Sequence, residues 1–248
     1  MNRPEYIGRA DWELLLEKHD GLLPKEIINK LNNKYPIQYL IGYVEFLDLK
    51  LMVNENVLIP RYETELMVDK TIKLIQKQEI NPASIIDLGC GSGAIAISLA
   101  KKFNTKVDAL DISEKALEIT NLNAQNNKAS LNLIQKDILN DEICLNHSLI
   151  ISNPPYVDIN EIVDPQTKYE PQNAIFADEN GLIFYKRIVE LAKQNLQKEF
   201  TLVFEIGCTQ KDAICEIILN QFPNAKLQCE KDFSDRNRYI FANIINFE

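Results

Sequence analysis

The sequence predicts an α/β fold with a parallel sheet, and three observations carry that prediction. From Ser84 onward, short apolar runs alternate with longer helical stretches. A glycine-rich turn, Gly89-Cys90-Gly91-Ser92-Gly93, joins the first of those strands to the first of those helices. That glycine turn, Asp111, Asp137 and Asn153 follow the ends of the successive strands. Parallel strands present their C-terminal ends to one crevice, so these four positions are expected to converge.

The chain has 248 residues and 46% hydrophobic content, enough for one full-size α/β domain and a small additional piece. No apolar run reaches the length of a membrane span, and Met1-Asn2-Arg3-Pro4 does not open a signal peptide. Five cysteines, no Cys-x-x-Cys and two histidines argue against a disulfide framework and against a metal site, and for a reducing cytoplasm. The net charge of −9 argues against a chain that grips nucleic acid, which usually carries a basic surplus.

Residues 1–42 read as a small helical lobe. Ala10 to Lys18 places Trp12, Leu15 and Leu16 at helical spacing, and Pro24 opens a second helix carrying Ile27, Ile28 and Leu31. Residues 43–78 read as a β-hairpin and a connecting helix. Glu45–Leu47 and Leu49–Val53 form strands joined around Asp48, and Val57–Ile59 is a further strand broken by Pro60. Glu63 or Thr64 starts the helix carrying Leu66, Val68, Ile72 and Ile75. Arg61 and Glu65 at this junction line either a cleft or plain solvent.

The core domain, residues 79–248, opens on the strand Ile85–Leu88, the glycine turn and a helix from Ala94 to Lys101. Such a turn lets backbone approach a ligand at a helix N-terminus, and Asp87 can take an amino group. The strand Val107–Leu110 leads to Asp111, 20 residues after Gly91, where an acid accepts hydrogen bonds from ribose hydroxyls. The pattern lacks Gly-x-Gly-x-x-Gly and any Gly-x-x-x-x-Gly-Lys loop, which leaves S-adenosylmethionine as the best-fitting adenosine cofactor. Ser113 caps the next helix, and Leu131–Ile134 is a strand. Asp137 and Ile138 either flank an adenine or belong to an ordinary loop.

The fourth strand, Leu149–Ile151, ends at Asn153-Pro154-Pro155-Tyr156. Two prolines fix two φ angles and remove two donors, so the carbonyls there point to fixed places. Asn153 Oδ1 and a proline carbonyl can accept both hydrogens of a planar NH2 group while the Tyr156 ring stacks on its face. The alternative is a strand-ending turn with an Asx cap. The long connection 157–180 reads as a lid or a substrate-contacting segment. A helix from Gly181 to Leu196, a strand from Thr201 to Ile206, a helix from Gln210 to Phe222 and two strands at Lys226–Cys229 and Arg238–Ala242 complete the chain.

Pro60-Arg61-x-Glu63-Thr64-Glu65, Asp87 through Ala94, Ser152 through Tyr156, Glu170-Pro171 and Asn180-Gly181-Leu182 together resemble the HemK-type protein-glutamine methyltransferases, which modify the Gly-Gly-Gln glutamine of bacterial peptide chain release factors. The resemblance spans Pro36 to Ala242 and implies a class I, Rossmann-like, seven-stranded methyltransferase sheet with an antiparallel last strand. It also implies S-adenosylmethionine held by Asp87, Leu88, Gly89, Cys90, Gly91, Asp111, Ile112, Asp137, Ile138 and Asn153. Catalysis falls to Asn153, Pro154, Pro155 and Tyr156, and Arg61 and Glu63 join those four in binding a release factor. The N-terminal lobe would help bind that protein, with no metal and a single chain. Two other readings are N6-adenine or other nucleic-acid methylation and methylation of a ribosomal-protein glutamine. A third is a cofactor-binding module without catalysis.

Overall fold

The computed structural model describes residues 3–77, 82 and 84–245. The expected boundary at 78/79 lies outside the described residues. Helices α1 (Arg9–Lys18), α2 (Lys25–Asn32) and α3 (Ile37–Ile41) form the N-terminal lobe. The hairpin is β1 (Tyr43–Phe46) and β2 (Leu49–Met52), and α4 (Tyr62–Lys77) follows. The core then runs through β3 (Ile85–Leu88), α5 (Ala94–Phe103), β4 (Val107–Asp111), α6 (Glu114–Asn127), β5 (Leu131–Gln135) and β6 (Leu149–Ser152). After β6 come β7 (Val157–Asp158), β8 (Phe176–Ala177), α7 (Asp178–Gly181), α8 (Ile183–Ala192), β9 (Glu199–Glu205), α9 (Lys211–Gln221), β10 (Lys226–Lys231) and β11 (Asn237–Ile245).

The main sheet has seven strands in the order β10-β11-β9-β6-β3-β4-β5. Strands β9, β6, β3, β4 and β5 pair in parallel, and β11 runs antiparallel to both β9 and β10. The α/β class, the seven strands and the antiparallel last strand are thus as expected. Side-chain alternation explains the near-continuous apolar runs. Ile85, Leu149, Ile151 and Val203 enter the core layer shared with α4, α5 and α6. Ile86, Leu88, Ile150, Leu202 and Phe204 enter the layer shared with α8 and α9. A parallel sheet covered on both faces needs apolar residues of both parities.

The lobe has its own core of Trp12, Leu15, Leu31, Tyr35, Ile37 and Leu40. The hairpin docks on α6 through Asn123, which is fully buried. Its Oδ1 accepts the Met52 N–H at 2.6 Å, and its Nδ2 donates to the Met52 carbonyl at 3.0 Å and to the Ser92 carbonyl at 2.9 Å. One side chain therefore joins the hairpin to the glycine turn.

Three expectations need correction. Val57–Ile59 forms no strand: the Ile59 N–H donates to Glu170 Oε1 at 3.0 Å instead of entering a ladder. Ile37–Ile41 is a short third helix of the lobe, for which the sequence reading names two. The helix expected from Gly181 starts at Ile183, because Glu179 and Asn180 adopt left-handed φ of 57° and 56° and Gly181 follows at φ 78°.

Candidate active site

Two cavities meet at the C-terminal ends of β3, β4 and β6. The first, of about 270 Å3, is lined by Gly89, Gly91, Asp111, Ile112, Asp137 and Ile138, together with Asn153 and Pro155. The second, of about 170 Å3, is lined by Pro154, Tyr156, Arg61 and Glu205, and it shares Leu58, Asn153, Pro155 and Ala174 with the first. The structure thus brings most of the expected residues together, with Asn153 standing between the two spaces.

The glycine turn forms an open cradle. Gly89 and Gly91 have φ of 77° and 54°, and a Cβ built on either would meet nothing within 4 Å. That empty space faces the first cavity, where a ligand can lie against bare backbone. Asp111 braces the cradle: Oδ2 accepts the Gly91 N–H and Oδ1 the Ser113 N–H, each at 2.9 Å. Burial raises the Asp111 carboxyl pKa, and these amide donors pull it back.

Asp87 is fully buried below the cradle. Its Oδ2 accepts the Ala96 N–H at 3.1 Å, and its Oδ1 has no partner. Burial pushes its carboxyl up to about 8, with the Ala96 amide opposing and the Asp111 charge adding to the rise. Expected to meet the cofactor's amino group, Asp87 lines neither cavity. Leu88 lies wholly within the sheet core, and the Cys90 side chain is buried with Sγ 3.6 Å from Thr120 Oγ1, so neither side chain lines the cavity. Asp137 lines it while using its own oxygens locally, accepting the Leu139 N–H and an Asn140 Nδ2–H.

The Asn153-Pro154-Pro155-Tyr156 segment is held from several directions. Asn153 Nδ2 donates to Thr64 Oγ1 at 2.9 Å, and Thr64 Oγ1 lies 2.7 Å from Glu205 Oε2. Burial pushes the Glu205 carboxyl up to about 7, opposed by the Thr64 hydroxyl and by Arg238. Gln210 Nε2 donates to the Tyr156 carbonyl at 2.9 Å and to the Asn180 carbonyl at 3.0 Å. Gly181 passes so close that a Cβ there would sit 2.0 Å from the Tyr156 carbonyl oxygen. Thr64, Glu205 and Gln210 had no functional reading from the sequence. Thr64 looked like a helix start, and Glu205 lies inside an apolar strand where only its unpaired charge could have marked it.

Arg61 is ion-paired with Glu170, which is buried and also holds the Ile59 N–H. Arg61 therefore lines the second cavity and also ties the segment 157–177 to the linker before α4. That segment is folded rather than loose: Val157 pairs with Phe176, and the Tyr169 hydroxyl donates to the Asn33 carbonyl at 3.0 Å. Glu63 lines neither cavity; its carbonyl accepts the Tyr239 hydroxyl at 2.8 Å. A wider space, about 700 Å3, lies between the lobe and the hairpin and is lined by Asp11, Glu13, Glu17, Glu45 and Glu65, and by Arg61. Among the described residues, no cluster of His, Cys, Asp or Glu could hold a metal, and no helix is long and apolar enough to cross a membrane.

Residues 65–169 match the model of the Methyltransferase small domain family. The chain is 39% identical over 242 residues to the release factor glutamine methyltransferase of Lactococcus lactis, covering 94% of this chain and 88% of that one. The chain belongs to the release factor glutamine methyltransferase family. A second member, from Enterococcus faecalis, is 36% identical and covers 97% of this chain and 87% of its own. Among solved structures, a methyltransferase from Pyrococcus furiosus aligns with a TM-score of 0.55 at 17% identity, covering 89% of this chain and 95% of that one. At that identity the likeness speaks for the fold alone.

Proposed function

We infer that the protein transfers a methyl group from S-adenosylmethionine to the side-chain amide nitrogen of the Gly-Gly-Gln glutamine of bacterial peptide chain release factors. The observation that carries this reading is the position of Asn153 and Pro155, which line both cavities at once. A methyl donor in the first space and an amide in the second would meet at that wall. The names of the relatives favour a glutamine of a release factor as the acceptor.

The first cavity suits the cofactor. The bare cradle at Gly89 and Gly91 can take its main body and Asp111 its ribose hydroxyls. Asp137 and Ile138 border the adenine in this assignment. When bound, the cofactor supplies an electrophilic methyl group on a positively charged sulfur.

The chain's own task is to turn an amide nitrogen into a nucleophile. That lone pair is delocalised into the carbonyl, so the nitrogen reacts only if its developing positive charge is stabilised. Asn153 Oδ1 and the Pro154 carbonyl accept the two N–H groups, favour the polarised form and aim the nitrogen. Tyr156 supports the amide plane. No strong base is needed before transfer, because the nitrogen becomes acidic only once methylated.

The acidic rim of the large groove supports a protein acceptor over a nucleic acid, since phosphates would be repelled there. In this reading the groove and the N-terminal lobe receive the body of the release factor, and one chain acts alone in the cytoplasm. The test is methyl transfer from labelled cofactor, with label counted separately in protein and nucleic-acid fractions. Label is expected in a release factor carrying Gly-Gly-Gln and absent when that glutamine is alanine. Label in DNA or RNA would overturn the reading.

A further inference from the structure

Asn153 has a symmetrical outline, and its oxygen and nitrogen could exchange places by a half-turn about the last side-chain bond. Only one of the two orientations presents an acceptor to a substrate amide. The neighbouring Thr64 hydroxyl decides between them. It has a single hydrogen and lies 2.7 Å from Glu205 Oε2, which in the carboxylate form can only accept. With its hydrogen committed there, Thr64 Oγ1 can offer Asn153 nothing but a lone pair. The Asn153 atom 2.9 Å away must then be the amide nitrogen, and Oδ1 is turned away from Thr64. Both Thr64 and Glu205 are buried, with 5% and 1% of their surface exposed, so water does not easily replace either partner.

Resting on the methyl-transfer reading above, we propose that Thr64, backed by Glu205, is a positioning residue that fixes the Asn153 carboxamide with Oδ1 toward the acceptor amide. The connection joins the first turn of α4, the end of β9 and the end of β6, three elements that meet only in the folded chain. It explains why a threonine and a glutamate occupy these buried places when neither is needed to fill the core. It also defines a specificity: a correctly turned Oδ1 selects an acceptor that donates hydrogens, such as a primary amide.

The experiment is a set of single-turnover transfers to a release factor, run above the pH of about 7 to which burial pushes Glu205, so that its carboxylate form prevails. Thr64→Val keeps the shape and removes the hydroxyl. It should lower the transfer rate about ten-fold or more while leaving cofactor affinity, measured by calorimetry, within about two-fold. Thr64→Ser should restore the rate. In the Asn153→Ala background, Thr64→Val should add nothing further, because Thr64 acts through Asn153. A normal rate in folded Thr64→Val, or a full additional loss in the double variant, would overturn the proposal while Asn153→Ala alone remains impaired. A normal rate in Asn153→Ala would overturn both this proposal and the methyl-transfer reading it rests on.

A measurement on the unaltered protein covers the case in which Thr64→Val does not fold. The Asn153 Nδ2 hydrogens, identified in asparagine-labelled NMR spectra by their absence from Asn153→Ala, should exchange with solvent more slowly than exposed side-chain amides. Exchange at the rate of exposed amides would overturn the proposal.

Discussion

The Gly91 N–H donates to Asp111 Oδ2 at 2.9 Å, so the strand-end acid and the glycine turn form one unit. The residue assigned to the cofactor's ribose thus also shapes the cradle in which that cofactor would lie. Asp111→Ala should weaken S-adenosylmethionine binding about ten-fold or more, the scale of a charged hydrogen bond. Asp111→Asn, which retains one acceptor oxygen, should lose less. Calorimetric titration distinguishes these outcomes, and unchanged affinity in Asp111→Ala would remove the assignment.

Binding and chemistry are expected to separate at Asn153. Asn153→Ala should fold and bind cofactor, yet lose about a hundred-fold or more in single-turnover transfer, as for loss of one preorganised polar contact. Near-normal transfer would remove the clamp from the mechanism.

The ion pair of Arg61 and Glu170 leads to a prediction about architecture. Arg61→Ala would leave a buried carboxylate with the Ile59 N–H as its remaining donor. Stability should fall by about 1–3 kcal/mol, and the segment 157–177 should become easier to cleave. Cofactor affinity should change little, whereas transfer to the whole release factor should fall. Thermal unfolding and limited proteolysis read the first two effects. A variant as stable and as protease-resistant as the parent would contradict this account of Arg61.

Asp87 makes stability depend on pH in a definite direction. Its folded-state pKa of about 8 lies above the ordinary value of 3.8, so the folded state holds a proton that the unfolded chain releases. The resulting contribution is fully present below about pH 4 and is lost as pH rises towards 8. Asp87→Asn should therefore flatten the stability profile between those limits, as measured by denaturant unfolding across the range. An unchanged slope would show that Asp87 does not hold the extra proton.

Gly181 tolerates no side chain, because a Cβ would sit 2.0 Å from the Tyr156 carbonyl oxygen and φ is 78°. Gly181→Ala should destabilise the protein by at least about 1–3 kcal/mol and slow transfer by displacing Tyr156. Parent-like melting and transfer would show that the backbone can yield there.

Much of this was readable from the sequence. Short, near-continuous apolar runs reveal strands buried on both faces, and the glycine turn and the acid 20 residues later follow neighbouring strands, where the Gly91 N–H and Asp111 Oδ2 meet. Thr64 and Glu205 were not readable in the same way. They stand 141 residues apart, and their hydrogen bond exists only once α4 has packed across the end of β9. Val57–Ile59 misled for a related reason. Its apolar pattern is that of a strand, but the partner for the Ile59 N–H is a carboxylate 111 residues away. Gly181 could be read as a turn, whereas its contact with the Tyr156 carbonyl could not.

The place of β11 in the sheet has a consequence for how the molecule is born. β11 is synthesised after both β9 and β10, yet it lies between them and is their shared partner. Until residues 237–245 leave the ribosome, β9 presents an unpaired edge and β10 has no place in the sheet, an interval in which a nascent chain is open to wrong pairing. Tyr239, carried on that strand, is also what fastens the Glu63 carbonyl at the start of α4, one residue from Thr64. The reactive centre is therefore assembled against the chain's direction of growth, its support on the Glu63 side arriving only after β9 and β10 have both been made.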